Sequence, residues 1–157
     1  MKKEIIRPIT IFIGLFETEM DFGAVFEQCD MSEYFDAETG EYLKPSCELS
    51  KVFGFNSYDD DWVDYEFLEK ATHPCNFYEA LLESHEESRF DYWNLSIMKQ
   101  AIDYCVQSKV EKVNSILQIG ELDAWEIVTN KYEKIGKDFP IMYCGTYNET
   151  TGEEVFD

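Results

Sequence analysis

Basic residues are scarce in this chain. Of its 157 residues, 13 are Lys or Arg against 33 Asp or Glu, giving a formal net charge of -20 with both histidines neutral. A phosphate-bearing partner is held by a cationic footprint, so nucleic acid and anionic membrane are excluded as expected ligands. Histidine is nearly absent too: His73 and His85 match no zinc spacing and cannot build a His-rich cluster. The five cysteines (Cys29, Cys47, Cys75, Cys105 and Cys144) are odd in number and contain no Cys-x-x-Cys pair. That excludes a disulfide framework or zinc knuckle as the expected use and leaves reduced thiols. No long hydrophobic run occurs. The apolar stretch Ile9 to Phe16 is far short of the roughly 20 residues a bilayer span needs, and no small-residue cleavage site follows it. Neither an anchor nor a signal peptide is expected there, and the expected location is the cytoplasm. Gly-rich phosphate loops, nucleophile elbows and dinucleotide fingerprints are missing as well.

What is present is apolar enough to fold: 45% of residues are hydrophobic and 16% aromatic, which is incompatible with a disordered chain. The length suits one domain with a substantial core, and no linker or internal repeat divides residues 1–157. Ile9 to Phe16, rich in β-branched and aromatic residues, predicts a buried strand with Pro8 at its beginning or on an edge. Thr18, with Asp21 three residues on, caps a predicted helix over about 19–29 whose inner face is Phe22, Val25, Phe26 and Cys29. The Glu38-Thr39-Gly40 turn between aromatic flanks predicts a hairpin over 34–43, and Leu49, Val52 and Phe53 a short helix stopped by Gly54. Pro74 opens a helix with the stripe Phe77, Tyr78, Leu81, Leu82 and His85. Asn94 caps another facing inward through Ile97, Met98, Ala101, Ile102 and Cys105. Val113 to Ile119 reads as a strand, Asp123 opens a fourth helix ending at Gly136, Pro140 to Tyr147 is a last strand, and the tail from about Asn148 is expected to fray. Interspersed elements without a fixed repeat predict a single α+β domain with a mixed or largely antiparallel sheet and about four helices.

The acid excess is uneven: residues 8–98 carry a net of -17 and residues 99–157 a net of -5. It peaks at Ser57 to Glu69, which holds six acids and four aromatics and meets no base until Lys70. From Trp62 onward the residues alternate, with Trp62, Asp64, Glu66 and Leu68 on one side and Val63, Tyr65, Phe67 and Glu69 on the other, as a half-buried strand requires. Asp59, Asp60 and Asp61 repel one another unless a cation or a basic partner offsets the charge. An EF-hand reading from Asp59 fails, because Val63 supplies no ligand, Asp64 replaces the turn glycine and Lys70 replaces the bidentate Glu. A weak divalent site among the three aspartates stays open, and no metal or cofactor is otherwise implied. Cys75 near His73 lies in acidic surroundings that do not activate a thiol. Carboxylate pairs are so abundant that none singles out a glycosidase-like site. Trp62 sits among carboxylates, where a ring supplies buried area and the surrounding acids select the partner.

Three short segments, Ile13-Gly14-Leu15-Phe16, Phe53-Gly54-Phe55 through Tyr58-Asp59-Asp60-Asp61, and Gly145-Thr146-Tyr147, resemble the bacterial immunity protein 22 family, antidotes encoded beside polymorphic toxins. The resemblance implies a cytoplasmic α+β protein that binds and silences a toxin enzyme, often a nuclease, and is itself no enzyme. Charge leads the same way, since a nuclease cleft is basic and an acidic surface competes for it. The expected partner-binding residues are Asp59, Asp60, Asp61, Trp62, Asp64, Tyr65 and Glu66. A hydrolase using a carboxylate pair or an aspartate-held metal, and an acidic adaptor or scaffold domain, are the alternatives.

Overall fold

The computed structural model describes residues 8–26, 35, 36, 38, 41, 42, 49, 63–85, 95–120, 141–149 and 151–155. Strand β1, Pro8–Gly14, starts on its proline, where a missing N–H costs least, and runs through the middle of the main sheet. It pairs antiparallel on one side with β5, Val113–Gly120, and on the other with β6, Ile141–Asn148. Beyond β5 lies β4, Val63–Thr72, also antiparallel, so the order is β4-β5-β1-β6. The predicted hairpin forms as a separate two-stranded unit, β2 (Phe35–Asp36) with β3 (Glu41–Tyr42). With α1 (Glu19–Ala24), α2 (Pro74–His85) and α3 (Leu95–Gln107) the architecture is α+β with an antiparallel main sheet. Three helices lie among the described residues where about four were predicted; the predicted helices after Leu49 and Asp123 fall outside them, apart from buried Leu49 itself.

Both faces of the sheet are covered, by different chemistry. On one face Ile9, Ile11 and Ile13 of β1 meet Phe77 and Leu81 of α2 and the full predicted stripe Ile97, Met98, Ala101, Ile102 and Cys105 of α3. On the other, Phe12, Leu117, Ile119 and Tyr143 meet Phe16, Phe22, Val25 and Phe26 around α1. Burial of such side chains is worth about 1.5–3 kcal/mol each and fixes the register, because a one-residue slip would exchange the two faces.

Local chemistry sets the element ends. Thr18 caps α1 as predicted, its hydroxyl accepting from the Asp21 N–H at 3.1 Å. The helix stops at Ala24 rather than near residue 29. Val25 and Phe26 donate to Phe22 and Gly23 in a tightened turn, and the Val25 carbonyl accepts from the Leu49 N–H at 3.0 Å instead of continuing the helical ladder. At α2, the His73 Nδ1 accepts from the Cys75 N–H at 3.2 Å, so the histidine serves as a helix cap in front of Pro74. Helix α3 ends with Lys109 in the left-handed region (φ 62), Val110 donating to Cys105 and Lys109 to Val106.

Strand β6 carries a bulge. Thr10 pairs with Thr146 but Phe12 with Tyr143, so β6 has one more residue than β1 over this stretch. Gly145, at φ +116, provides the backbone angle. The extra residue puts Tyr143 and Thr146 on one face, where their hydroxyls meet at 2.7 Å, and Cys144 and Tyr147 on the other. Past Asn148, where the sequence predicted a tail, the chain turns back. Gly152 donates to Asn148, Asn148 to Glu153 and Val155 to Thr146, while Gln100 of α3 donates to the Gly152 carbonyl at 2.5 Å.

Candidate protein interface

The candidate site is built on β4. Its inner edge is satisfied by β5 through Val63↔Ile119, Asp64↔Gln118, Tyr65↔Leu117, Glu66↔Ile116 and Phe67↔Ser115. Among the described residues no strand pairs with its outer edge. Between Phe67 and Thr72 the register jumps, so Leu68, Glu69, Lys70 and Ala71 bow away from β5. Strand edges present N–H and C=O groups in a row, and acidic side chains along them discourage pairing with unselected strands.

The predicted alternation holds, so the expected partner-binding residues of β4 fall on two faces. Asp64 and Glu66 lie on the face of α2 and α3, opposite Gln118 and Ile116. Tyr65 lies on the face of α1, with Val63 and Phe67. The Tyr65 ring is 5.3 Å from Phe26 and 5.9 Å from Phe22, and Phe67 stacks on Phe22 at 6.3 Å. Tyr65 therefore clamps α1 with part of its ring while 47% of the residue stays exposed. Asp59, Asp60, Asp61 and Trp62 lie outside the described residues.

Two features that the sequence reading missed complete the geometry. The first is Gln118, 5% exposed, whose Nε2 donates a long bond of 3.4 Å to Asp64 Oδ2 and whose Oε1 has no partner among the described residues. Desolvation raises the Asp64 carboxyl above its ordinary 3.8, and the Gln118 bond only partly opposes this. A glutamine inside an apolar strand gives no sign in sequence that it lies beneath a carboxylate; that takes the register. The second is a groove of about 440 Å³ on the α1 face, lined by Glu17, Thr18, Glu19, Phe67 and Glu69. Three carboxylates from β4 and the approach to α1 meet there, with the exposed Met20 next in the chain. Their acidity was legible, their convergence was not.

Chemically the arrangement offers negative charge and partly exposed aromatic surface. Among the described residues no group of three His, Cys, Asp or Glu is placed to hold a metal ion, and no helix is long and apolar enough to cross a membrane. Lys99 pairs with Asp103 one turn on within α3. No family model, curated protein or solved structure matches the chain.

Proposed function

We propose that this chain is an acidic cytoplasmic binding protein of the immunity type, which caps the cationic site of a toxin enzyme, by preference a nuclease, and catalyses nothing itself. The observation that carries the reading is the placement of acids on both faces of the strand that ends the sheet among the described residues: Asp64 and Glu66 on one, Glu69 with Glu17 and Glu19 on the other. Only a partner seated across the strand edge meets both sets. A nuclease cleft is basic because it binds phosphate, and acids aimed at it speed association by about 10- to 1000-fold through steering. Tyr65 and Met20 add exposed apolar area of the kind enriched at interface centres. A strand held by β5 and α1 is already ordered, so little entropy is lost on binding. Asp59, Asp60, Asp61 and Trp62 immediately precede β4 and belong to the proposed surface on sequence grounds.

The product of the adjacent reading frame provides the test. Its enzyme activity is measured with the wild-type chain, with D59N/D60N/D61N and with D64N/E66Q. Wild type is expected to form a complex that abolishes activity and assembles more slowly as salt rises, while the folded, neutralised variants lose at least tenfold in inhibition. A neighbour without a basic enzyme domain, or equal inhibition by the neutralised variants, overturns the proposal.

A further inference from the structure

We infer that Cys105 and Cys144 form a redox modification site, a thiol pair that closes to a disulfide and ties α3 to β6. The Sγ atoms lie 3.5 Å apart, at van der Waals contact with nothing between them, although 39 positions separate them in the chain. The Gly145 bulge places Cys144 there by keeping Met142, Cys144 and Tyr147 on the α3 face. Cys105 enters from the last turn of α3 and also contacts the Met142 Sδ at 3.8 Å. The Cys144 backbone is anchored as well, its carbonyl accepting from the Tyr147 hydroxyl at 2.7 Å. Two thiols in contact on independently anchored elements meet the first requirement of a disulfide, proximity of the two sulfurs.

The oxidant class is a low-molecular-weight disulfide such as glutathione disulfide. One cysteine thiolate attacks a glutathione sulfur, forming a mixed disulfide and releasing one glutathione, which takes up a proton. The second thiolate attacks the protein sulfur of that mixed disulfide and releases the other glutathione. Two protein thiols thus give up two electrons and two protons, and one glutathione disulfide becomes two thiols. Both cysteines are buried, at 0% and 1% exposure, and burial with the neighbouring thiol pushes the Cys144 thiol up. The folded pair is accordingly slow to react, and exchange proceeds while the chain folds or when α3 lifts from the sheet. Among the described residues Cys75, exposed on α2, is the competitor, and Cys29 and Cys47 add to it in the unfolded chain.

The full chain is unfolded in urea and refolded in a glutathione disulfide/glutathione buffer, then alkylated, digested and mapped by mass spectrometry. The expected result is a Cys105–Cys144 linked peptide as the main product, in wild type and in Cys75→Ser alike. The linked protein should melt on the order of 10 °C above the same sample reduced, and Cys105→Ser should remove the difference. Recovery of Cys105 and Cys144 as alkylated thiols while other cysteines pair, or a linked form that melts no higher than the reduced one, overturns the inference.

Discussion

Replacing Gly145 with alanine puts the β6 bulge under direct stress. An added Cβ would lie 2.6 Å from the Tyr147 hydroxyl oxygen, 2.8 Å from Cζ and 2.9 Å from Cε2. The ring cannot swing into solvent easily, since Tyr147 is 2% exposed and its hydroxyl donates to the Cys144 carbonyl. The backbone resists independently, because φ +116 is a region that L side chains rarely adopt. Forcing alanine to keep that angle costs about 1–3 kcal/mol, and displacing Tyr147 from its hydrogen bond about 1 kcal/mol more. The expected loss is therefore roughly 2–4 kcal/mol, a fall in Tm on the order of 10 °C for a chain of this length. Urea unfolding followed by circular dichroism measures it, with the slope unchanged if only the native state is affected. Tyr147→Leu removes all three close atoms, so in that background Gly145→Ala should cost only its backbone part, leaving about 1 kcal/mol of coupling in a double-mutant cycle. A loss below about 0.5 kcal/mol, or strict additivity with Tyr147→Leu, would refute the bulge argument.

Two further changes probe the frame and the edge strand. Asn114 holds the end of β1, its Oδ1 accepting from the Phe16 N–H at 3.0 Å and its Nδ2 donating to the Phe16 carbonyl at 2.7 Å, all buried. Asn114→Ala strands both backbone groups and should cost roughly 2–4 kcal/mol in urea unfolding; a cost under about 1 kcal/mol would show that Phe16 finds other partners. Asp64 gives a pH-dependent outcome. Its folded pKa is raised above 3.8 by desolvation, so its favourable contribution is fully present below about that pH and is lost as pH rises through the folded value. Asp64→Asn should therefore raise Tm at neutral pH, with the advantage shrinking as pH falls toward 3; an advantage that persists or grows in acid would contradict the sign.

Local pattern was enough to find most described elements, because burial follows period in both helices and strands. The α3 stripe and the β4 alternation read directly from spacing, and Thr18 and Pro74 marked helix starts through their own chemistry. What local pattern lacks is order between strands. Nothing in residues 63–72 says that β4 ends the sheet among the described residues, that Gln118 lies across from Asp64, or that Phe22 of α1 and Phe26 just past its end will pack on Tyr65. Spacing put Tyr65 on the face opposite Asp64 and Glu66, as a strand requires, but gave no sign that α1 would cover part of that face. The bulge escaped for a related reason: an isolated glycine in a strand signals irregularity, but which residues it re-aims depends on the partner strand. Likewise α1 is shorter than its apolar spacing implied, since Leu49, a residue from another segment, takes the Val25 carbonyl.

The distribution of charge follows from where the fold keeps its stability. Strands β1, β5 and β6 are buried along nearly their whole length and are locked by Asn114 to Phe16, by the Thr10–Thr146–Tyr143 hydroxyl chain and by the return turn after Asn148. Strand β4 is half-buried at most positions and exposed at Tyr65, Glu69 and Lys70, and among the described residues it ends a sheet that the other three already define. Like charges there repel at a solvent-facing margin, where water screens them, rather than inside the core, where the same pairs would cost several times more. Acids can therefore accumulate on β4 with little penalty to the other strands, and a cationic partner that relieves the repulsion gains affinity from the same arrangement. Stability and recognition are assigned to different strands. Strengthening the charge of β4 should tune binding without repacking the sheet, whereas changes at Gly145 or Asn114 should weaken the fold and leave the character of the edge intact.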